Sequence, residues 1–207
     1  SGERKTLEAL YPRAIKVLEN YLNMGLLRKG LVDIGKADSF ANWCVINWND
    51  VVKKGECAPL NFLVLRGLRA AVEMAEWLGR SDDRARFGRI VKPFRRAINN
   101  AFWSHSKGVY RDGRYRGRLI EHYSTETNAL ALLSGLPDAR KTRRIARALE
   151  TGPLSMETPT AYFNAFVAEG LFRSGRPETA LRLIETYWGR MLDRGADAFW
   201  EMFLPHT

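Results

Sequence analysis

The chain of 207 residues is long enough for one well-buried domain and short for two, and its 45% hydrophobic and 27% charged content is ordinary for a globular fold. Its formal charge of +10 raises the question of a polyanionic partner. No apolar run approaches the roughly 18–20 residues needed to span a bilayer, and no charged-then-apolar leader opens the chain, so no membrane segment is expected and the cytoplasm is slightly favoured.

The opening Ser1-Gly2, without Met, reads as an internal cut rather than a natural start. A leading helix is expected from Thr6 to about Met24, followed by a long connection, Leu27–Ala58. Between Pro59 and Leu78 the polar positions shrink to one line, Arg66, Arg69, Glu73 and Glu76, so this helix must be covered on several sides. The next, 82–102, is amphipathic: Phe87, Ile90, Val91, Phe94, Ile98 and Phe102 form one stripe, interrupted by Pro93, which should kink the helix or cost a backbone bond.

A second long connection, Ser104–Ser124, follows. Within it "KGVYRDGRYRG", Lys107 to Gly117, reads as a β-hairpin turning at Asp112-Gly113. Helices are then expected over about 125–134, 138–150, 160–173 and 177–192, again alternating an apolar type with an amphipathic one. The joints "LGRSDDRAR", "SGLPDARKT" and "SGRPETALR" repeat one grammar: a helix-ending Gly (Gly79, Gly135, Gly175), then Ser or Pro, then an acid opening the next helix. An internal repeat of inner and outer helices predicts an all-α array of hairpins, a closed toroid or an open solenoid, in a single domain over 1–207.

The charge falls on the amphipathic helices, at Arg84, Arg86, Arg89, Lys92, Arg95 and Arg96 and again at Arg140, Lys141, Arg143, Arg144 and Arg147. Both runs read as solvated outer faces, and no nucleic-acid module accompanies them, so nucleic acid is not expected as a partner. Cys44 and Cys57 lack metal or redox spacing, and His105, His122 and His206 form no cluster. No metal or cofactor is expected.

Short inner-to-outer joints put all the long connections at one end of such an array, and long loops in a compact domain carry function. They hold Asp33, Asp38, Phe40, Trp43, Trp48, Asp50 and Glu56; then Tyr110, Asp112, Tyr115, Glu121, His122 and Tyr123; then Glu157; then Asp197, Phe199, Trp200 and Glu201. Aromatic faces pack on the C–H faces of sugar rings, while carboxylates bind hydroxyls or move protons. Each residue alone suits capping or core packing equally well; the collection at one rim suits a sugar site.

The segments "APLNFLVLRGLRAAVEMAEWLGR" (58–80), "STETNALALLSGL" (124–136) and "ETPTAYFNAFVAEGLFRSGRPETALRLIETYWGRMLDRGADAFWEMF" (157–203) resemble the catalytic barrel of bacterial α-L-rhamnosidases, which are six-hairpin glycosidases. The resemblance runs through nearly the whole chain, and its last fifty or so residues are the most specific part. It implies part of an (α/α)6 toroid that releases terminal L-rhamnose with inversion, a rhamnose-containing glycoside or polysaccharide as partner, and Glu201 as general base. By the same resemblance Trp48, Asn47, Asp50, Glu126, Tyr162 and Trp200 are candidates for holding the sugar. Asn47 stands in "VINWND" where the family usually has Asp, and Glu126 stands in "STETN" where Gln is usual. The family's general-acid motif, an Asp-Cys-Pro run followed by Arg and Glu, has no match here. The expectation is therefore a base without its acid, and inner faces such as Tyr162, Phe163 and Phe166 left exposed for self-association or for a further segment of the same barrel. A non-catalytic helical array binding carbohydrate or a protein partner is the alternative; an arginine-driven nucleic-acid binder would rest on charge alone.

Overall fold

The computed structural model of the chain describes residues 3–26, 30–35, 46–47, 51, 53–152, 154 and 158–203. Helix α1 (Arg4–Tyr21) runs into a π-helical turn, Leu22–Leu26. Three hairpins follow: α2 (Ala58–Trp77) with α3 (Ser81–Phe102), α4 (Thr125–Ser134) with α5 (Ala139–Thr151), and α6 (Ala161–Arg173) with α7 (Pro177–Asp193). The inner helices pack side by side, α2 on α4 and α4 on α6, and α1 lies against α2. Every residue of α4 is buried, as its place mid-row demands. The outer helix α3 buries Phe87, Phe94, Ile98 and Phe102, the stripe its periodicity predicts, and runs unbroken through the outward-facing Pro93.

Each hairpin joint turns on its glycine. Gly79, Gly135 and Gly175 adopt φ of 70°, 64° and 70°, the left-handed region that a side chain would resist. Gly135 is further constrained, because a Cβ there would meet the Arg69 guanidinium at 2.5 Å. Arg69 donates to the Ser134 carbonyl at 2.6 Å, and Arg95 to those of Gly135 and Leu136 at 2.9 and 3.1 Å. These two arginines satisfy carbonyls at the negative end of α4, where the helix leaves them without partners.

The inner helices also share a device at their other end. The fourth residue of each is a buried asparagine: Asn61, Asn128 and Asn164. Each side chain pairs with the backbone of one residue in a long connection, accepting its N–H and donating to its C=O. Asn61 holds Val32 at 2.9 and 3.1 Å, Asn128 holds Tyr110 at 2.8 and 3.1 Å, and Asn164 holds Thr158 at 2.8 and 2.9 Å. The side-chain amide thus replaces a neighbouring strand and fixes each irregular segment to the helix it introduces.

The expected hairpin is displaced. Strands β1 (Glu56–Cys57), β2 (Gly113–Tyr115) and β3 (Arg118–Ile120) form a three-stranded antiparallel sheet, turning at Arg116-Gly117 rather than at Asp112-Gly113. Arg116 and Gly117 have φ of 50° and 76°, as a two-residue type I′ turn needs. Asp112 is unavailable for a turn because it is completely buried. Its carboxylate accepts from the Ser124 N–H, the Ser124 hydroxyl and the Thr127 hydroxyl at 2.9, 2.8 and 2.6 Å, and meets His122 Nδ1 at 2.7 Å.

Candidate functional site

The tail after α7 folds back onto the core instead of fraying. Phe203 is buried, its N–H donates to the Pro159 carbonyl at 2.8 Å, and its carbonyl accepts from the Tyr187 hydroxyl at 3.4 Å. The Arg194 guanidinium lies 4.9 Å from the Phe203 ring, and Trp200 meets that ring edge-on at 5.6 Å. Glu201 is therefore exposed but hung between two anchored aromatics, on a segment tied to the loop that opens α6. Asn164 clamps Thr158 in that same loop, so the position of Glu201 depends on a side chain buried inside α6.

Glu201, Trp200 and Phe199 open onto a cleft of about 1250 Å³ that wraps the exposed side of α6. Asn47, Thr160 and Tyr162 line its upper end; Leu63, Leu130, Phe166, Ile184 and Trp188 line its length. Tyr162 is 70% exposed and stands edge-on to Phe166 at 5.0 Å. Of the two flanking aromatics expected to be open, Phe166 is half-buried and packs on the core, while Phe163 is fully covered because the third residue of α6 points between the inner helices. The cleft has aromatic walls and few charges, the character of a sugar platform.

Asn47 and Glu126, distant in sequence, meet beneath the upper end. Asn47 donates to Glu126 Oε1 at 2.7 Å and accepts from the Thr160 hydroxyl at 2.8 Å. Thr160 also caps α6, its oxygen accepting from the Phe163 N–H at 3.1 Å. Glu126 is 1% exposed, so it faces Asn47 rather than the open cleft. Lys53 donates to the Asn47 carbonyl at 2.7 Å and fixes that residue from the other side. The first turns of α4 and α6 and the residue before Trp48 are thereby locked into one hydrogen-bonded unit. Trp48 and Asp50 themselves, with Glu157, lie outside the described residues.

Among the described residues, two further rim glutamates are engaged elsewhere. Glu56 pairs with Arg114 through both oxygens. Glu121 accepts from Tyr123 and from Arg111, and these hydrogen bonds hold its carboxyl below the usual range. Glu169, the other glutamate of the cleft wall, is paired with Arg173 at 2.7 Å and Arg66 at 3.7 Å. Among the described residues no group of His, Cys, Asp and Glu is arranged to hold a metal ion. Sequence reasoning did not single out Thr160, Asn164 or Phe203. The first carried a signal, a threonine immediately before an apolar helix; the second was visible as an asparagine recurring at the fourth position of all three inner helices.

The profile of the bacterial alpha-L-rhamnosidase 6 hairpin glycosidase domain matches residues 1–206. Among solved structures, the fold superposes on a GH78 family rhamnosidase of Bacillus sp. GL1 with a TM-score of 0.86 and 23% identity, covering 98% of this chain and 21% of that one. It superposes on a rhamnosidase from Klebsiella oxytoca, solved with rhamnose bound, with a TM-score of 0.78 and 26% identity, covering 96% of this chain and 36% of that one. No curated protein sequence matches the chain. The chain thus spans between a fifth and about a third of the length of these two relatives.

Proposed function

Because the chain belongs to the bacterial α-L-rhamnosidase six-hairpin glycosidase family, we propose that its cleft binds a terminal L-rhamnosyl residue and that Glu201 is the general base of an inverting hydrolysis. The observation that carries this is the folded-back tail: Phe203 and Trp200 are fixed, and they hold one carboxylate at the mouth of an aromatic cleft. In this reading Glu201 orients a water molecule and accepts its proton as the oxygen attacks the anomeric carbon. The leaving oxygen departs on the opposite face, protonated by a second carboxyl roughly 6.5–9.5 Å from the base. Trp200 and Tyr162 form the stacking surfaces, with Trp48 as a third. Asn47 presents an amide to a sugar hydroxyl, and Asp50 a carboxylate. Glu126 acts through Asn47: its carboxylate fixes which face of the amide points outward.

Glu169 lies in ion pairs, and the hydrogen bonds from Tyr123 and Arg111 favour the charged form of Glu121, so neither suits the acid role. The reading assigns this chain the base and the sugar platform, with little turnover alone on substrates whose leaving group needs protonation. In the intact protein Glu201→Gln is expected to lower kcat by about 10²–10⁴-fold with an unchanged melting temperature, as befits an exposed side chain. Near-normal turnover of an aryl α-L-rhamnoside by that variant would overturn the assignment. The paired state of Glu56, Glu121 and Glu169 also favours a second reading, a sugar-binding array without catalysis. Rhamnose binding by an intact protein that cleaves no rhamnoside would establish it.

A further inference from the structure

The outer faces of α3 and α5 carry eleven cations and no acid between Arg84 and Phe102 and between Ala139 and Leu149. Of these, Arg84 and Arg86 pair with Glu76 and Glu19. Arg95 serves helix carbonyls, and Lys141 lies inward, donating to Asn99 at 2.7 Å and sitting 4.7 Å above the Trp103 ring. What remains is exposed: Arg89, Lys92 and Arg96 on α3, and Arg140, Arg143, Arg144 and Arg147 on α5. Among the described residues none of these is within ion-pair distance of a carboxylate. The nearby acids are already engaged, Asp138 in capping α5 and Glu150 with Thr179 and Arg176.

The two helices form one surface. Arg95 of α3 reaches the carbonyls of Gly135 and Leu136 just before α5, and Lys141 of α5 reaches Asn99 of α3. Arg144 extends the strip to the rim loop, where it packs so closely over Gly108 that a Cβ there would lie 2.4 Å from its Nε. The exposed Lys107 adjoins it. The strip thus runs from the outer wall of the array to the connection that introduces α4.

We propose that this strip is a docking surface for an acidic polysaccharide, a glycan chain carrying repeated carboxylates. The choice of glycan rests on the glycosidase reading of the cleft; the choice of a polyanion rests on the charge. Planar guanidiniums accept carboxylates through paired N–H donors, and a row of them suits a polymer with one acid per sugar. The strip has no exposed large apolar or aromatic side chain: those of α3 and α5 are all turned inward. That disfavours single-stranded nucleic acid, which proteins grip by stacking bases on exposed aromatics, and also an inserted lipid contact. A polymer held on the outer wall would be retained near the cleft between successive encounters, raising its local concentration there.

The test uses the whole chain and a fluorescent oligogalacturonate, read by anisotropy. Binding is expected, falling at least about tenfold between about 50 and 200 mM salt as bound counter-ions cease to be released. Methyl esterification of the probe should abolish it. The triple variant Arg140→Gln, Arg143→Gln, Arg147→Gln should weaken binding about tenfold or more and flatten the salt dependence, with the circular dichroism unchanged because all three side chains are exposed. Arg13→Gln, an exposed arginine of α1 outside both the strip and the cleft, should bind like the parent. No binding at the lower salt, an unaffected triple variant, or tighter binding to a DNA duplex of equal charge each overturns the proposal. Rhamnoside binding and cleavage by the intact protein are read separately. Oligogalacturonate binding without them refutes the glycosidase reading alone; cleavage without oligogalacturonate binding refutes the basic strip alone.

Discussion

Asp112 is the residue on which most depends. One buried carboxylate joins the entry to β2, the cap of α4 and the edge of the rim loop, and it accepts every donor around it. Asp112→Ala leaves the buried Ser124 and Thr127 donors without that acceptor and removes the partner of the exposed His122, and each unsatisfied buried donor costs about 1–3 kcal/mol. Urea unfolding should show a midpoint displaced accordingly; a change below about 1 kcal/mol would mean that water replaces the carboxylate. Asn164→Ala is expected to cost less, about 2 kcal/mol, because the Thr158 backbone can turn to solvent. In the intact protein it should also lower kcat, since the loop holding Phe203 loosens. Asn164→Asp cannot rescue it, as it presents an oxygen to the Thr158 carbonyl. At this scale the sequence was only partly legible. Glu201 could be singled out because a carboxylate between aromatics at a helix exit is conspicuous. Asp112 was misplaced in a turn because Asp-Gly is a turn signal wherever it occurs, and only the packing of Ser124 and Thr127 shows that the carboxylate has other work.

The helices were legible almost residue for residue, since period-3.6 stripes and glycine stops are local facts. The β-sheet was not, because β1 pairs with β2 across more than fifty residues, and two- and three-residue strands have no period to read. Helix α1 shows how an element is secured by one group. Tyr11 is buried between α1 and α3 and donates to Asp83 at 2.9 Å. Burial, then the hydrogen bond to Asp83, push its phenol from 10.0 up to about 12. The folded state thus keeps a proton that the unfolded chain releases first. The resulting stability is complete below pH 10 and is lost as pH rises towards about 12. Thermal midpoints should fall steeply across that window, and Tyr11→Phe should start lower but decline less. Equal slopes for the two proteins would show that α1 is held by other contacts.

For the whole molecule the informative feature is the asymmetry of its surface. One side carries the uncompensated arginines; the other, around α6, α7 and the tail, exposes Tyr162, Phe172, Leu181, Ile184, Leu192 and Phe199. A contiguous apolar flank of this kind is unusual on a monomer and marks a contact surface. The chain is therefore expected to self-associate through α6 and α7. Sedimentation should give a species heavier than the monomer, and Phe172→Glu with Ile184→Lys should return it to the monomer. A compact monomer with no affinity for a hydrophobic dye would contradict this. Which aromatics this flank exposes was not legible in the sequence, because Phe163 and Tyr162 are neighbours in the chain and opposite in burial.

The three asparagine clamps give irregular segments the kinetic behaviour of helix interiors. The amide protons of Val32, Tyr110 and Thr158 belong to no helix or strand ladder, yet each is buried on an asparagine oxygen that is itself fixed inside a helix. Solvent deuterium can reach them only when the corresponding inner helix opens. In a hydrogen-exchange experiment these isolated amides should exchange as slowly as those in the middle of α2, α4 and α6, while exposed neighbours such as His105 and Ser106 exchange at once. The long connections that introduce the inner helices would then unfold with the core rather than before it.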